Sequence, residues 1–398
     1  MKKFVSLLMV MALVIVSCFA FAGCGAEKTV TEEVKVGFIF LHDENSTYDK
    51  NFMDAATAAT EKLGLSTDQV MIKTNIPETA ECYNAAADLV DAGCDLIFAD
   101  SFGHEDFMIQ AAEEFSDVTF CHATGTKAHT KNLPNFYNAF ASIYEGRYLV
   151  GVAAGLKLNE MIESGKITAD QAKMGYVGAY PYAEVKSGLT SFFLGARSVC
   201  PSVTMDVKYT NSWFDIAAEK ETANALIAGG CVLISQHADS EGAPKACEEA
   251  GVPNVAYNLD TREWGPNTAL IASKINWAPY FEHIITATMN GTEIKQDFCG
   301  GLADDVVQTL GLNDAVAAEG TAEKLEEVKA KLISGEIKVF DTATFTVDGK
   351  ELTEYMADVD TDESFTPDTQ VISDGYFHES EMRSAPYFDI DIDGITTK

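Results

Sequence analysis

Short apolar runs alternate with helical stretches along most of this sequence, and the pattern occurs twice. The first series of runs comprises residues 34–40, 69–74, 94–100, 117–123 and 136–141. The second series comprises residues 173–179, 203–210, 231–238, 254–258 and 269–275. Alternating strands and helices build right-handed βαβ units around parallel sheets. The sequence therefore predicts an α/β protein of two similar lobes, each a mostly parallel sheet flanked by helices.

Polar and aromatic residues follow nearly every predicted strand. Ligands of open α/β sheets bind outside the carboxyl ends of the strands, so two facing lobes place these residues along one cleft. The candidates of the first series are Asp43, Asn45, Tyr48, Asp49, Phe52, Asp100, Ser101 and His122. Those of the second series are Tyr182, Trp213, His237, Asp239, Asn258 and Lys274. We expect these side chains to line a ligand cleft between the lobes.

The first residues resemble an export signal. Lys2 and Lys3 precede an apolar run, 4–16, that is short for a membrane span, as in a secretory signal peptide. Small residues before Cys24 resemble a bacterial lipobox. Cys18 also fits such a motif, but cleavage there would fall inside the hydrophobic core of the signal. We therefore predict a signal peptide over residues 1–23, a lipid on Cys24, a tether over residues 24–33, and a location on the extracytoplasmic face of the cell membrane.

Charge and cysteine spacing exclude several classes of protein. The formal net charge of −33 disfavours a nucleic-acid partner, because phosphate binding needs a basic surface. Seven cysteines remain after Cys18 and Cys24, and none forms a CxxC pair, so a zinc or redox site has little support. Phosphate-loop, dinucleotide and nucleophile-elbow motifs are also missing from the sequence. We expect a monomer with free, mostly buried thiols, no cofactor and no metal.

Several short motifs, in order, resemble the basic membrane protein family of substrate-binding lipoproteins. The first loop carries Asp43 followed by Asp49-Lys50-Asn51-Phe52, and later positions match at Trp213 and Lys274. Two longer segments also match, YEGRYLVGVAAG at 144–155 and EEVKAKLISGEIKVF at 326–340. The likeness covers roughly residues 34–340. Where the family carries glycines, this chain has Glu44, Asn45 and Ser46; where it carries an acid, this chain has Asn258; and residues 341–398 extend past the usual family ending.

The resemblance implies a two-lobed periplasmic-binding-protein type I fold with its ligand in the cleft between the lobes. It implies lobe 1 over residues 34–143 together with 259–398, which include a C-terminal extension, and lobe 2 over residues 144–258. The best understood members are purine nucleoside receptors of ABC transporters. The implied function is therefore capture of a purine nucleoside or nucleobase and its delivery to an ABC permease, without catalysis.

Side-chain chemistry is compatible with a purine. Rings of Phe52 and Trp213 would sandwich the base, since base–aromatic stacking is worth about 1–3 kcal/mol per ring. The base edge would be read by Asp43, Asn45, Asp49 and Asp100. The ribose would be held by Asp239, Asn258 and Lys274.

Two alternatives stay open. One is a sugar or autoinducer receptor of the same fold, and the other is a nucleoside hydrolase that uses the carboxylates of residues 43–49. Near the C-terminus, FDIDIDGIT at 388–396 predicts an alternating strand with one face in water.

Overall fold

The computed structural model describes residues 34–398. The predicted signal peptide, the tether and the lipid site at Cys24 lie outside the described residues. Within the described part of the chain, no helix has the length and apolar character needed to cross a membrane.

The two predicted series of strands are both present. The first comprises β1 (Val36–Ile39), β2 (Val70–Lys73), β3 (Leu96–Ala99), β4 (Thr119–Ala123) and β5 (Phe136–Ala141). The second comprises β6 (Lys173–Gly178), β7 (Thr204–Tyr209), β8 (Leu233–His237), β9 (Asn254–Tyr257) and β10 (Ala269–Ile275). Two more strands follow, β11 (Asp297–Gly300) and β12 (Val307–Leu310). Each predicted apolar run therefore contains one strand.

Helices separate the strands, as predicted. Those of the first series are α1 (Thr47–Lys62), α2 (Ala80–Asp91), α3 (Glu105–Glu114) and the short α4 (Ala128–Lys131). Those that follow are α5 (Ile143–Glu163), α6 (Ala183–Val199), α7 (Ile216–Ala228), α8 (Gly242–Ala250), α9 (Ala278–Asn290) and α10 (Thr321–Ile333).

The strands form two separate sheets. The first has the order β11-β5-β4-β3-β1-β2, and all of its pairs are parallel. The second has the order β12-β10-β9-β8-β6-β7-β17, where β17 (Ile395–Thr397) is the last strand of the chain. Only the β10–β12 pair in this sheet is antiparallel. The α/β fold of two lobes with mostly parallel sheets is thus confirmed.

Sheet membership corrects the predicted lobe boundary. Residues 259–398 were assigned to lobe 1, but β10 pairs with β9, β12 pairs with β10, and β17 pairs with β7. These three strands belong to the second sheet, and of the strands after residue 258 only β11 joins the first. The chain crosses between the lobes through α5, through α9, and between β11 and β12. The order of strands and helices along the sequence does not show which sheet each strand joins, so these crossings could not be predicted from it.

Two glycines let α5 and α6 pack at short range. A Cβ on Gly151 would lie 2.1 Å from the carbonyl oxygen of Phe192, and a Cβ on Gly195 would lie 2.1 Å from that of Tyr148. Any larger residue would separate the helices. Because α5 leads from the first sheet to the second, this packing fixes where lobe 2 begins.

The chain after residue 343 forms an aromatic layer that packs beside α5. Phe340 stacks on Phe388 with ring centroids 4.3 Å apart, and Phe377 lies 4.9 Å from Phe388. Tyr144 of α5 lies 5.4 Å from Phe340. Two small hairpins complete the region, β13 (Met356–Ala357) with β14 (Thr369–Gln370) and β15 (Ile372–Ser373) with β16 (Tyr376–Phe377). We call residues 344–398 the C-terminal extension.

The segment 388–396 follows the predicted alternation only in part. Phe388, Ile390 and Ile392 are buried while Asp389 and Asp391 are exposed, as an alternating strand requires. Ladder hydrogen bonds, however, form only in β17. The alternation therefore predicted the buried face correctly and the length of the strand incorrectly. The seven cysteines of the described chain are free, and six of them are buried, as expected.

A buried carboxyl group in the C-terminal extension makes stability depend on pH. Glu379 is 2% exposed, and burial raises its pKa to about 8 from an ordinary 4.5. Between those two pH values, Glu379 keeps its proton in the folded protein and releases it in the unfolded chain. The free energy of unfolding therefore falls as pH rises through this range. Each pH unit in this window costs up to about 1.4 kcal/mol.

Glu379→Gln cannot ionise, so we expect its stability relative to the unmodified protein to increase as pH rises from 5 to 8. Urea unfolding at pH 5, 6.5 and 8 measures this difference, and Glu351→Gln, at an exposed position of the same extension, is the control. A stability difference that is independent of pH would contradict the prediction.

Candidate ligand-binding cleft

The loop between β1 and α1 is held by its own polar side chains. Ser46 is the N-cap of α1, and its hydroxyl accepts from the backbone N–H of Asp49. Asp49 accepts in return from the Ser46 hydroxyl at 2.5 Å and from the backbone N–H of His42 at 2.7 Å. Asp43 accepts from the backbone N–H of Asn45 in a separate turn. These bonds fix the loop and leave Tyr48 and the His42 ring at the cleft.

A narrow slot lies between the carboxyl ends of the two sheets. Lobe 1 contributes Leu41, His42, Tyr48, Asp49, Ser101, Phe102 and Thr124, and lobe 2 contributes Glu184, Trp213, His237 and Asp239. About 350 Å³ around these residues is not filled by protein atoms, counted out to the mouth, but a water molecule can place its centre in only about 20 Å³ of it. The slot is therefore constricted.

Direct contacts across the slot show that the lobes are close together. The backbone N–H of Thr47, at the start of α1, donates to the carbonyl oxygen of Asp239 at 2.8 Å. The rings of His42 and Phe214 lie 5.4 Å apart. Insertion of a flat ring requires the lobes to separate, so ligand binding and lobe position are coupled.

Aromatic rings dominate the lobe 2 side of the slot. Trp213 lies in the loop between β7 and α7, edge-on to Tyr180 with ring centroids 5.1 Å apart. Tyr180 stacks on Tyr182 at 5.0 Å, and Tyr182 faces Phe102 of lobe 1 at 5.7 Å. This cluster supports the indole of Trp213 and presents it to the slot.

Buried carboxyl groups give the slot an acidic character. Burial, reinforced by the nearby Glu219 and Asp49, raises the pKa of Asp239 well above its ordinary value. Burial also opposes the ionisation of Asp49, but hydrogen bonds from His42 and Ser46 outweigh it and hold the pKa of Asp49 below its ordinary value. Two acids of the slot thus differ in protonation, one favouring the charged form and one the neutral form.

His237 closes the inner end of the slot. Its Nε2 lies 3.3 Å from a carboxyl oxygen of Glu184, and burial lowers its pKa, so the imidazole is neutral near pH 7. Behind it lies Arg147, fully buried, which donates to the carbonyl oxygen of Gln236 at 3.0 Å and lies over the ring of Tyr257. The charge of Arg147 helps to keep His237 neutral, and its guanidinium does not line the slot.

The lining favours one kind of ligand. Among the described residues that line the slot, none is a lysine or an arginine, whereas three are carboxylic acids. Anionic ligands such as phosphates lack a counter-charge here. A flat, uncharged molecule with N–H or O–H donors can stack on an aromatic ring and donate to the carboxylates.

The structure brings together only some of the predicted site residues. Six line the slot, namely Tyr48, Asp49, Ser101, Trp213, His237 and Asp239. Tyr182 borders an adjoining chamber described below. Seven do not line the slot, namely Asp43, Asn45, Phe52, Asp100, His122, Asn258 and Lys274.

Three of these residues are buried supports. Asp100 is fully buried and accepts from the backbone N–H of Leu41 at 3.2 Å, while burial raises its pKa well above the ordinary value. The Nε2 atom of His122 lies 2.7 Å from the carbonyl oxygen of Ser101. Asn258 adopts a left-handed backbone conformation with φ of +70° and is also buried. Asp100 and His122 therefore support slot residues from behind, through Leu41 and Ser101.

Phe52 and Lys274 require clearer corrections. Phe52 is fully buried and stacks on Trp277 with ring centroids 4.5 Å apart, so it belongs to the core of lobe 1 and forms no sandwich with Trp213. Lys274 lies on β10, with Asp54 and Asp305 as its charged neighbours. Its position removes the support for a role in holding ribose.

Five residues that line the slot were missed, namely Leu41, His42, Phe102, Thr124 and Glu184. All but Glu184 lie within three residues of a strand end. The expectation that residues after strand ends line the cleft could therefore have included them. Glu184 lies in the first turn of α6, six residues after β6.

Solved structures with this architecture define the class of protein. A solute-binding protein of an ABC transporter system from Aeropyrum pernix K1 superposes with a TM-score of 0.65 at 17% identity, covering 80% of this chain and 94% of that one. One from Conexibacter woesei gives a TM-score of 0.62 at 19% identity, covering 77% and 98%. The fold is that of the two-lobed type I periplasmic binding proteins.

Sequence relatives identify the family. Residues 37–343 match the Bmp family, described as PnrA-like ABC transporter substrate-binding proteins, and the chain belongs to this family. A purine-binding protein of Brucella abortus is 33% identical over 330 residues, which make up 82% of this chain and 89% of that protein. A putative ABC transporter glucose-binding protein of Haloferax volcanii is 31% identical over 257 residues, 65% and 62% of the two chains. The nucleoside-binding protein BmpA of Lactococcus lactis is 24% identical over 277 residues, 66% and 73%.

Proposed function

We propose that this protein captures a purine nucleoside or nucleobase outside the cytoplasm and delivers it, as a monomer, to the permease of an ABC importer. Membership of the Bmp family supports the transport role. The names of the Brucella and Lactococcus relatives support the ligand class. The observation that carries the proposal is the slot itself, where Trp213 faces carboxyl groups and no basic side chain is among the described lining residues.

A purine suits this slot for chemical reasons. Its flat face stacks on the Trp213 indole, which is worth about 1–3 kcal/mol. Ring and exocyclic N–H groups donate to Asp49 or Glu184, and Asp239 accepts or donates according to its protonation. Hydrogen bonds to charged groups contribute about 1.5–3 kcal/mol each. Within residues 34–398, no basic side chain lines the slot, and this selects against the phosphorylated forms.

One specific observation favours a second candidate. The Haloferax relative is named a glucose-binding protein, and a sugar can also pack on an aromatic ring and donate to carboxylates. A sugar offers hydroxyl groups only and has no extended flat face. A purine can stack its whole flat face on the Trp213 indole, so the aromatic lining favours the purine.

A ligand panel tests the proposal by thermal shift. We expect inosine, guanosine or adenosine to raise the melting temperature, because a ligand at 100 times its dissociation constant adds about 2.7 kcal/mol of stability. The corresponding 5′-monophosphates should have little effect, since no lysine or arginine is among the described residues that line the slot. A shift with glucose and none with any purine would overturn the proposal in favour of the sugar receptor.

The hydrolase alternative needs a separate experiment. Prolonged incubation of the protein with inosine, followed by chromatography, should return intact inosine. Release of hypoxanthine in proportion to protein concentration would establish an enzyme instead.

The predicted lipid anchor forms part of the proposal. We expect the mature chain to begin at Cys24 with a thioether-linked lipid, and Cys24→Ala to leave the precursor unprocessed and without lipid. Mass spectrometry of membrane-extracted protein measures both forms, and Cys18→Ala is the matched control, which should remain lipidated. A mature start elsewhere, without lipid, would contradict the prediction.

A further inference from the structure

A second chamber adjoins the slot at its mouth. Phe102, Thr124 and Glu184 border both spaces, so the two lie side by side and share these residues. A water molecule can place its centre in about 350 Å³ of the chamber, against about 20 Å³ of the slot. The cleft therefore has a constricted inner part and a roomy outer part.

The C-terminal extension supplies one wall of this chamber. Arg383, Ala385, Pro386 and Asp389 face Thr126 of lobe 1 and the 181–184 segment of lobe 2. The matched family region ends at residue 343, so this wall lies outside it. The outer chamber is therefore completed by residues beyond the family match.

Bonds to both lobes hold the wall in place. The backbone N–H of Ser384 donates to Asp297 on β11 at 2.9 Å. On the other side, Lys186 of α6 lies 3.0 Å from Asp389 and 3.2 Å from Asp391. The short stretch between Ser384 and Asp389 thus spans from lobe 1 to lobe 2 across the mouth.

Arg383 stiffens the same stretch from within. Its guanidinium donates to the carbonyl oxygens of Asp358 at 2.9 Å, Ala385 at 3.2 Å and Pro386 at 3.3 Å. Because its guanidinium is bound to these backbone oxygens, Arg383 holds the segment that forms the wall in one conformation. With the lobes in the arrangement described here, the wall presents a defined surface to the chamber.

Thr124 marks the boundary between slot and chamber with a strained backbone. It is 3% exposed and has a φ of +65°, a conformation that β-branched residues rarely adopt. Such strain persists where the surrounding structure imposes it, and it clusters at ligand sites. The left-handed backbone of Thr124, between the slot and the chamber, therefore supports a binding role for both spaces.

The chemistry of the chamber fits a sugar ring. Phe102 and Tyr182 are 43% and 44% exposed, so each ring leaves part of its surface open to the C–H groups of a pentose, while Tyr180 stacks on one face of Tyr182. Glu184, Asp389 and the Thr126 hydroxyl provide acceptors for sugar hydroxyl groups. Predominantly apolar walls with a few placed polar groups are typical of small-molecule sites.

We propose that the outer chamber, completed by the C-terminal extension, is a sugar subsite that makes the protein selective for nucleosides over free bases. This inference rests on the proposed function, since it assumes that the base occupies the slot. The extension is then a specificity element as well as a structural one.

Calorimetry with inosine and hypoxanthine tests the subsite on the full mature chain. Ala183→Trp fills the chamber from lobe 2, and we expect it to weaken inosine binding at least about tenfold while hypoxanthine changes less than about twofold. Ala225→Trp, at an exposed position on α7, is the matched control and should change neither. Because a bulky residue can perturb folding, Asp389→Ala provides a second variant, which removes an acceptor at an exposed position of the chamber, with the same selective loss expected.

The outcomes separate this inference from the proposed function. If the unmodified protein binds neither compound nor any other purine, the proposed function fails and the subsite with it. If both compounds bind and the two variants weaken them equally, or weaken neither, the subsite is overturned while the proposed function stands.

Discussion

Trp213→Ala is expected to weaken purine binding by about 1–3 kcal/mol, or roughly 5- to 150-fold. The indole is the large ring on the lobe 2 side of the slot, and Tyr180 and Tyr182 hold it in place at 5.1 Å and 6.0 Å. Removing it leaves the base without its stacking partner and admits water to the slot. Isothermal calorimetry with inosine and with hypoxanthine should show a loss for both, because the proposed role of the indole is to stack on the base.

Two further variants make this result specific. Trp213→Phe keeps a ring and should give an intermediate affinity. Trp264→Ala removes a tryptophan from another loop of the chain that does not line the slot, and should leave affinity unchanged. Unchanged affinity in Trp213→Ala would mean that another ring stacks on the base, with Tyr182 and Phe214 as the next candidates.

The fold was predictable because buried parallel strands have a simple signature. Strands covered on both faces become continuous apolar runs, as in β1 and β3, where every residue is buried. For β5 and β10 the predicted bounds are the observed ones. The assignment of β10, β12 and β17 to a lobe was not predictable in this way, because strand pairing depends on contacts between distant segments.

The site was predictable to the extent that strand ends determine it. Ser101, Trp213, His237 and Asp239 lie in the slot because each follows or ends a strand of a parallel sheet. The prediction that Phe52 lines the site is wrong because Phe52 lies one helical turn beyond Tyr48 on the same face of α1. Four residues of helix rise about 6 Å, which places Phe52 behind Tyr48 and away from the slot.

Distance in sequence hid the remaining parts of the site. The wall formed by Ser384 to Asp389 reaches the mouth through contacts with Asp297 and Lys186, and no local pattern encodes those contacts. Only its buried alternation, from Phe388 to Ile392, was visible in the sequence. A short segment without regular strand or helix becomes part of a site only through the fold around it.

Phe52→Ala is expected to lower the free energy of unfolding by about 3–5 kcal/mol, which is typical for a phenylalanine removed from a core. The ring is fully buried, stacks on Trp277 at 4.5 Å and lies edge-on to Tyr48 at 4.8 Å. Urea unfolding measures the loss, and Phe52→Leu, which keeps most of the apolar volume, should cost less than about 1.5 kcal/mol. Calorimetry on the folded Phe52→Ala protein should show a smaller loss of purine affinity than Trp213→Ala, because the Phe52 ring does not line the slot. The opposite result, near-normal stability with a large loss of affinity, would return Phe52 to the binding site and require the cleft to open much further than the contact between Thr47 and Asp239 indicates.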